Sequence, residues 1–142
     1  MNMVIRPHAQ APSATVTLRH IWQARQRISH IVKKTPLIEA PALSERVGAP
    51  VHLKLENLNV TGSFKIRGAA NKILSLTPEE RRRGITTFST GNFGRSVAFL
   101  AKELGIQAVI CISKRVPDAK VAALEQTGAR IERVGHCQDD AE

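Results

Sequence analysis

From Ile85 onward the apolar positions follow a regular order. Ile85 to Ser89 reads as a strand. Asn92 to Leu104 reads as a helix, with Val97, Leu100, Ala101 and Leu104 on one face and Gly105 closing it. Ile106 to Ile112 is almost wholly apolar, the pattern of a strand covered on both sides. Pro117 opens another helix and Gly128 ends it, and Arg130 to Val134 is a weaker strand. Strand, helix, strand, helix, strand predicts an α/β fold: a parallel sheet with right-handed crossovers and helices on its faces.

The front half is less periodic. Thr17 to Val32 predicts a helix capped by Thr17, with Leu18, Ile21, Ile28 and Val32 near one face. Thr35-Pro36 stops it, because a residue before proline avoids helical geometry. Leu37 to Glu39 is a short extended piece, and a small helix runs from Pro41 to Gly48. Val51 to Glu56 alternates apolar and polar, which predicts a half-buried strand. After the loop from Asn57 to Gly62, Ser63 is expected to cap a helix reaching Leu76, with Ile66, Ala69, Ala70, Ile73 and Leu74 at helical spacing. Thr77-Pro78-Glu79-Glu80 opens a further short helix.

Composition narrows the function classes. The 142 residues are 42% hydrophobic and 23% charged, a globular balance. The net charge of +9 invites a polyanionic partner. Its basic residues, however, are spread from Arg6 to Arg133, and only Arg81-Arg82-Arg83 forms a run, behind Glu79-Glu80. With no aromatic positions interleaved, nucleic-acid binding is not expected. Cys111 and Cys137 make no disulfide framework, and His136-Cys137 has no neighbour at metal-ligand spacing, so no metal is expected. No stretch approaches membrane-spanning length, and a soluble cytoplasmic protein is the expectation.

Two segments carry candidate chemistry. In Thr61-Gly62-Ser63-Phe64-Lys65-Ile66-Arg67-Gly68-Ala69, Lys65 falls in the first turn of its helix. The positive helix end disfavours an ammonium there by at most ~1 kcal/mol, and burial would disfavour it more. A lysine that loses its proton forms imines with aldehydes. On position alone, a solvated helix lysine is the alternative. The second segment, Ser89-Thr90-Gly91-Asn92-Phe93-Gly94, follows a strand and opens a helix. Free backbone N–H groups there suit a phosphate or a carboxylate, and Ser89, Thr90 and Asn92 add side-chain donors. An ordinary capped turn is its alternative. It is neither the dinucleotide fingerprint nor a P-loop.

Taken together, the two segments are more specific. With Thr35-Pro36-Leu37 and Lys54-Leu55-Glu56 ahead of them, they resemble the serine/threonine dehydratase family from about Ile28 to the end. The resemblance implies the fold-type-II architecture of pyridoxal-phosphate enzymes. Residues 1–16 would be a flexible tail, 17–76 the N-terminal part of a large domain carrying the cofactor lysine, and 77–142 a truncated small α/β domain. It implies pyridoxal 5'-phosphate as cofactor and Lys65 as the lysine that forms the internal imine. Phe64 would lie against the cofactor ring and Asn92 would bond the ring hydroxyl. Ser89, Thr90, Gly91, Asn92 and the backbone at Phe93 would grip a substrate carboxylate. The implied reaction is α,β-elimination of a small hydroxy amino acid to a keto acid and ammonia, by a protein that is a homo-oligomer at full length.

Some positions depart from the family pattern. Phe93 stands where many relatives have His. Thr90 stands at a position where racemising relatives have Ser, which leaves racemase activity open. Gly94-Arg95-Ser96, Val116-Pro117 and Gln138-Asp139-Asp140-Ala141 resemble the hydroxyectoine-utilisation dehydratase branch. The nine glycines include no run of three or four, so the family's glycine-rich phosphate loop is missing. Asp139 to Glu142 resembles a capping box, which announces a helix where the chain stops. The expectation is a truncated sequence that binds cofactor poorly by itself and turns nothing over. The rivals are a β-replacement enzyme of the cysteine synthase type and a non-catalytic anion-binding remnant. Arg67-Gly68-Ala69 after the lysine favours the dehydratase.

Overall fold

The computed structural model describes residues 15–136. Residues 1–14 of the expected tail at 1–16, Cys137 and the capping-box pattern at 139–142 lie outside them.

Helix α1 spans Leu18–Ile28, and Thr17 caps it through a reciprocal pair with His20. The predicted apolar stripe buries only its far end. Ile28 and Val32 are in the core, whereas Leu18, Ile21 and Trp22 are exposed. Trp22 carries the Arg25 guanidinium 4.9 Å from its ring centroid. Strand β1 (Leu37–Glu39) pairs antiparallel with β2 (His52–Lys54), with Ile38 opposite Leu53. Between them α2 (Pro41–Val47) ends at Gly48, whose φ of 73° is the left-handed cap expected there. The predicted half-buried strand at 51–56 is shorter than its alternation suggested, and every residue of β2 is exposed. A two-stranded ribbon has too little surface to bury a face by itself. Leu55 N–H then bonds Pro36 O, and a single 3-10 turn follows at Glu56–Leu58.

Helix α3 runs from Lys65 to Ser75 and buries Ile66, Ala69, Ala70 and Ile73. Helix α4 (Pro78–Arg83) has a full capping box between Thr77 and Glu80. Then come β3 (Ile85–Phe88), α5 (Asn92–Leu104), β4 (Ala108–Ile112), α6 (Asp118–Glu125) and β5 (Arg130–Arg133). The three strands form a parallel sheet in the order β3-β4-β5, with Phe88 opposite Cys111 and Cys111 opposite Glu132. Gly84, between α4 and β3, has φ 83°, and a Cβ there would meet Gln107 O at 2.9 Å.

The core has two clusters. One joins Ile28 and Val32 to Ile66, Ala69, Ala70 and Ile73 of α3, and to Val97, Leu100 and Ala101 of α5. Small residues at 69, 70 and 101 let α3 and α5 approach closely. Fully buried Ile66 and Leu100 each contribute roughly 1.5–3 kcal/mol relative to exposure. The second cluster packs Ala98 of α5 and Val121 and Leu124 of α6 on Ile110 and Ile112. Among the described residues, helical cover of the sheet therefore lies on the Ala108, Ile110, Ile112 face. Val109 and Cys111, pointing the other way, are half-buried. Packing of α3 on α5 sets the two candidate segments at the starts of adjacent helices.

Candidate active site

Lys65 is the first residue of α3. Its side chain is exposed, and Nζ lies 4.9 Å from the centroid of the Phe64 ring, itself 58% exposed. The burial expected for this amine is thus not supplied by the described residues. What remains is its place at the positive end of a helix, beside an aromatic face. The predicted cap also fails. Phe64 occupies the N-cap position with no side-chain bond, and Ser63 is buried with its hydroxyl unpartnered. The helix starts one residue later than expected, and Ser63 is buried just outside it.

The flanks of this turn are fixed by Glu56. Its Oε2 accepts from Arg67 Nε at 2.8 Å and from Asn59 Nδ2 at 2.6 Å. Its Oε1 accepts from Thr35 Oγ1 at 2.8 Å and from Arg67 Nη2 at 2.9 Å. The Arg67 guanidinium, and to a lesser extent the Thr35 hydroxyl and the nearby Lys54, outweigh partial burial and hold the Glu56 carboxyl down at about 2. Lys54 Nζ bonds Thr35 O at 2.5 Å. One carboxylate thereby ties the end of the α1 region, the exit of β2 and the first turn of α3. Spacing gave no sign of this network, since Glu56 and Arg67 share no element.

The second segment sits where a βα unit places its ligand site, between β3 and α5. Ser89 and Thr90 are half-buried, and Gly91 and Asn92 are exposed. Gly91 occupies the N-cap of α5 with no side-chain cap bond, unlike Thr17 and Thr77 on α1 and α4. The first-turn N–H groups are left open for an anion. Gly94 is required for the turn to close, because a Cβ there would lie 2.6 Å from Ser89 O. The Phe93 side chain turns away and packs against the α3–α5 core, so only its backbone faces the turn. A hollow of about 260 Å³ beside the turn is lined by Thr90, Gly91, Asn92, Arg95, Lys120 and Leu124. Lys120 was not singled out in the sequence, and Arg95 only as part of Gly94-Arg95-Ser96, without a binding role.

A buried link joins the two segments. Thr61 Oγ1 lies 3.1 Å from Ser96 Oγ, and Ser96 Oγ donates to Asn92 O at 2.8 Å. The exposed Lys65 amine, the exposed Asn92 amide and the uncapped start of α5 are the groups here that could meet an aldehyde, a ring hydroxyl and an acid, a donor set of the chemistry pyridoxal phosphate and an amino acid need. Among the described residues, no group of three or more His, Cys, Asp or Glu is placed to hold a metal.

The family model for pyridoxal-phosphate dependent enzymes matches residues 28–142. The chain belongs to this family. The family's cofactor is pyridoxal 5'-phosphate, and the fold is the N-terminal portion of its fold type II. A "Putative threonine dehydratase" of Sinorhizobium fredii is 46% identical over 129 residues, 91% of this chain and 39% of that protein. An "L-threonine ammonia-lyase" of Thermotoga maritima is 40% identical over 126 residues, 89% of this chain and 31% of its own. The solved serine racemase of Dictyostelium discoideum superposes with a TM-score of 0.83 at 34% identity, covering 90% of this chain and 42% of that one. The threonine deaminase isoform 2 of Solanum lycopersicum gives 0.78 at 27% identity, covering 100% and 41%. The chain thus spans 31% to 39% of the length of these two curated relatives.

Proposed function

We propose that this chain carries the lysine-bearing side of an α,β-elimination site that dehydrates and deaminates a small hydroxy amino acid. The observation that carries the reading is the placement of Lys65 and Asn92 at the starts of two packed helices, linked through Thr61 and Ser96. Threonine or serine is the substrate class, with keto acid and ammonia as products. A hydroxyectoine-derived amino acid is the narrower version, resting on Gly94-Arg95-Ser96 and Val116-Pro117.

The bound cofactor supplies an electron-withdrawing ring. Lys65 Nζ would hold the cofactor at its aldehyde carbon and, when freed by the substrate amine, would be the base for the α-proton. Phe64 would lie against the ring, and the Asn92 amide would bond the ring hydroxyl. The substrate carboxylate sits on the turn from Ser89 to Phe93, against the open N–H groups of α5. Departure of the β-hydroxyl with a proton, as water, would complete the elimination. The division near Thr77 into a lysine-bearing part and a second α/β part belongs to this proposal. So do a cytoplasmic setting and a homo-oligomeric full-length protein. Among the described residues no helix is long and apolar enough to cross a membrane.

Keto-acid formation from L-threonine and L-serine tests the reading, in the 142-residue chain and in a version extended to its relatives' length. The extended protein is expected to turn over with added pyridoxal phosphate. The shorter chain is expected to bind cofactor poorly and to be inactive. No turnover by the extended protein would overturn the assignment. Thr90, half-buried in the turn, together with the likeness to serine racemase, favours racemisation as a second activity. Chiral analysis of residual serine reads it directly.

A further inference from the structure

The link between the two segments has a direction. Ser96 is fully buried within α5, and its one hydroxyl proton is spent on Asn92 O, four residues back. Only lone pairs remain on the Ser96 oxygen to meet Thr61. Thr61 is 5% exposed and lies 3.1 Å away, so its hydroxyl must be the donor. The chain of bonds therefore runs from Thr61 to Ser96 to the Asn92 carbonyl. It starts four residues before Lys65 and ends at the residue that opens α5. Among the described side-chain hydrogen bonds, it is the one that joins the loop ahead of Lys65 to α5.

We propose that Thr61 and Ser96 are positioning residues, a strut that sets how far the amine of Lys65 stands from the Asn92 turn. The proposal rests on the function assigned above to those two segments. Both hydroxyls are buried and spent on protein partners. Each acts through what it holds: Thr61 through the loop that presents Lys65, Ser96 through the first carbonyl of α5. A hydroxyl pulling on that carbonyl tilts the first helical turn, and with it the Asn92 amide and the open N–H groups. Burial makes the strut sensitive to loss of either end, because removing one partner strands the other out of reach of water.

Amide hydrogen exchange in the intact chain, without cofactor, tests the strut separately from the chemistry. Thr61→Val and Ser96→Ala are close in volume to the native residues, and Ser96→Ala also suits a helix. Thr61→Val is expected to speed exchange at residues 92–95 about ten-fold, and Ser96→Ala to do the same at residues 61–66. The double variant should add little to either, and Thr61→Ser should restore protection. A purely local role predicts changes only near the substituted residue. That outcome, or additive effects in the double variant, overturns the proposal. With pyridoxal phosphate added to the extended protein, both single variants should shift the absorbance of lysine-bound cofactor. Unshifted spectra beside the native one would also overturn it. Absence of any such band in the native extended protein would instead count against the function assigned to Lys65, leaving the exchange result to decide the strut.

Discussion

Arg67 grips Glu56 with two nitrogens, Nε at 2.8 Å from Oε2 and Nη2 at 2.9 Å from Oε1, and the whole Lys65 turn lies between them. This fork geometry is the strong form of an ion pair. The side chains of Glu56 and Arg67 are 20% and 34% exposed, so the pair is only partly screened by solvent. It closes at its neck the loop formed by residues 57–66, its two ends eleven positions apart. Asn59 bonds the same carboxylate from within that loop.

Stability should therefore depend on pH through Glu56. Its carboxyl falls from 4.5 to about 2 in the folded chain, mainly because Arg67 bonds the ionised form. A depressed folded value means the unfolded chain binds the proton more readily. The contribution is then fully present above about 4.5 and is lost as pH falls through about 2. The shift sets an upper limit of about 3 kcal/mol, which solvent around the part-exposed Arg67 reduces. Urea unfolding from pH 6 to pH 2, compared with Glu56→Gln, should show the difference between the two proteins shrinking across that window. A constant gap would mean the carboxylate does not hold the loop.

Lysine cannot replace Arg67 in that fork. Arg67→Lys keeps the charge but offers no planar pair of donors to two oxygens. It also gives up the 3.3 Å bond to Lys33 O. A loss of about 1–3 kcal/mol is expected by urea unfolding, with larger exposure of the 57–64 loop to limited proteolysis. Unchanged stability would show that point charge is enough.

Two glycines on helices give opposite expectations for the same substitution. Gly68 lies in α3, and a Cβ there meets nothing within 4 Å. Gly68→Ala should stabilise by about 0.5–1 kcal/mol through helix propensity. Gly94 lies in α5, where a Cβ would sit 2.6 Å from Ser89 O, a backbone atom with little freedom to retreat. Gly94→Ala should destabilise despite its better propensity, and should shift the Ser89–Asn92 turn. Thermal unfolding of both variants gives the signs. Stabilisation by both would show that the turn has slack.

The sequence was most legible where periodicity and chemistry coincide. Helix α5 begins at Asn92 and ends at Leu104 as its stripe requires, and the strands of the parallel sheet fall inside the spans expected for them. Burial was harder to read. The spacing of Leu18 and Ile21 marks a helix face, but only tertiary packing decides whether anything covers it, and both are exposed. The same holds for Lys65, whose helix position was readable and whose environment was not. Ser63 looked like a cap because its hydroxyl stands near a helix start. The helix starts one residue later, which leaves Phe64 at the cap position. Glu56–Arg67 and Thr61–Ser96 are long-range pairs that no period connects.

The final expectation concerns Lys65 itself. Its side chain is exposed, and its one described contact is the Phe64 ring at 4.9 Å. Such a contact is worth about 0.5–1 kcal/mol at a surface, and alanine regains part of it in helix propensity. Lys65→Ala should therefore unfold within about 0.5 kcal/mol of the native chain. In the extended protein it should nevertheless abolish covalent attachment of pyridoxal phosphate, read as loss of the pyridoxyl-labelled peptide after borohydride reduction. Lys72→Ala, on the same helix and also exposed, is the control that should leave labelling intact. Because folding is spared in both, missing label in Lys65→Ala can be ascribed to the lost amine. Label persisting there at native yield would move the attachment point elsewhere and remove the basis for the active-site assignment.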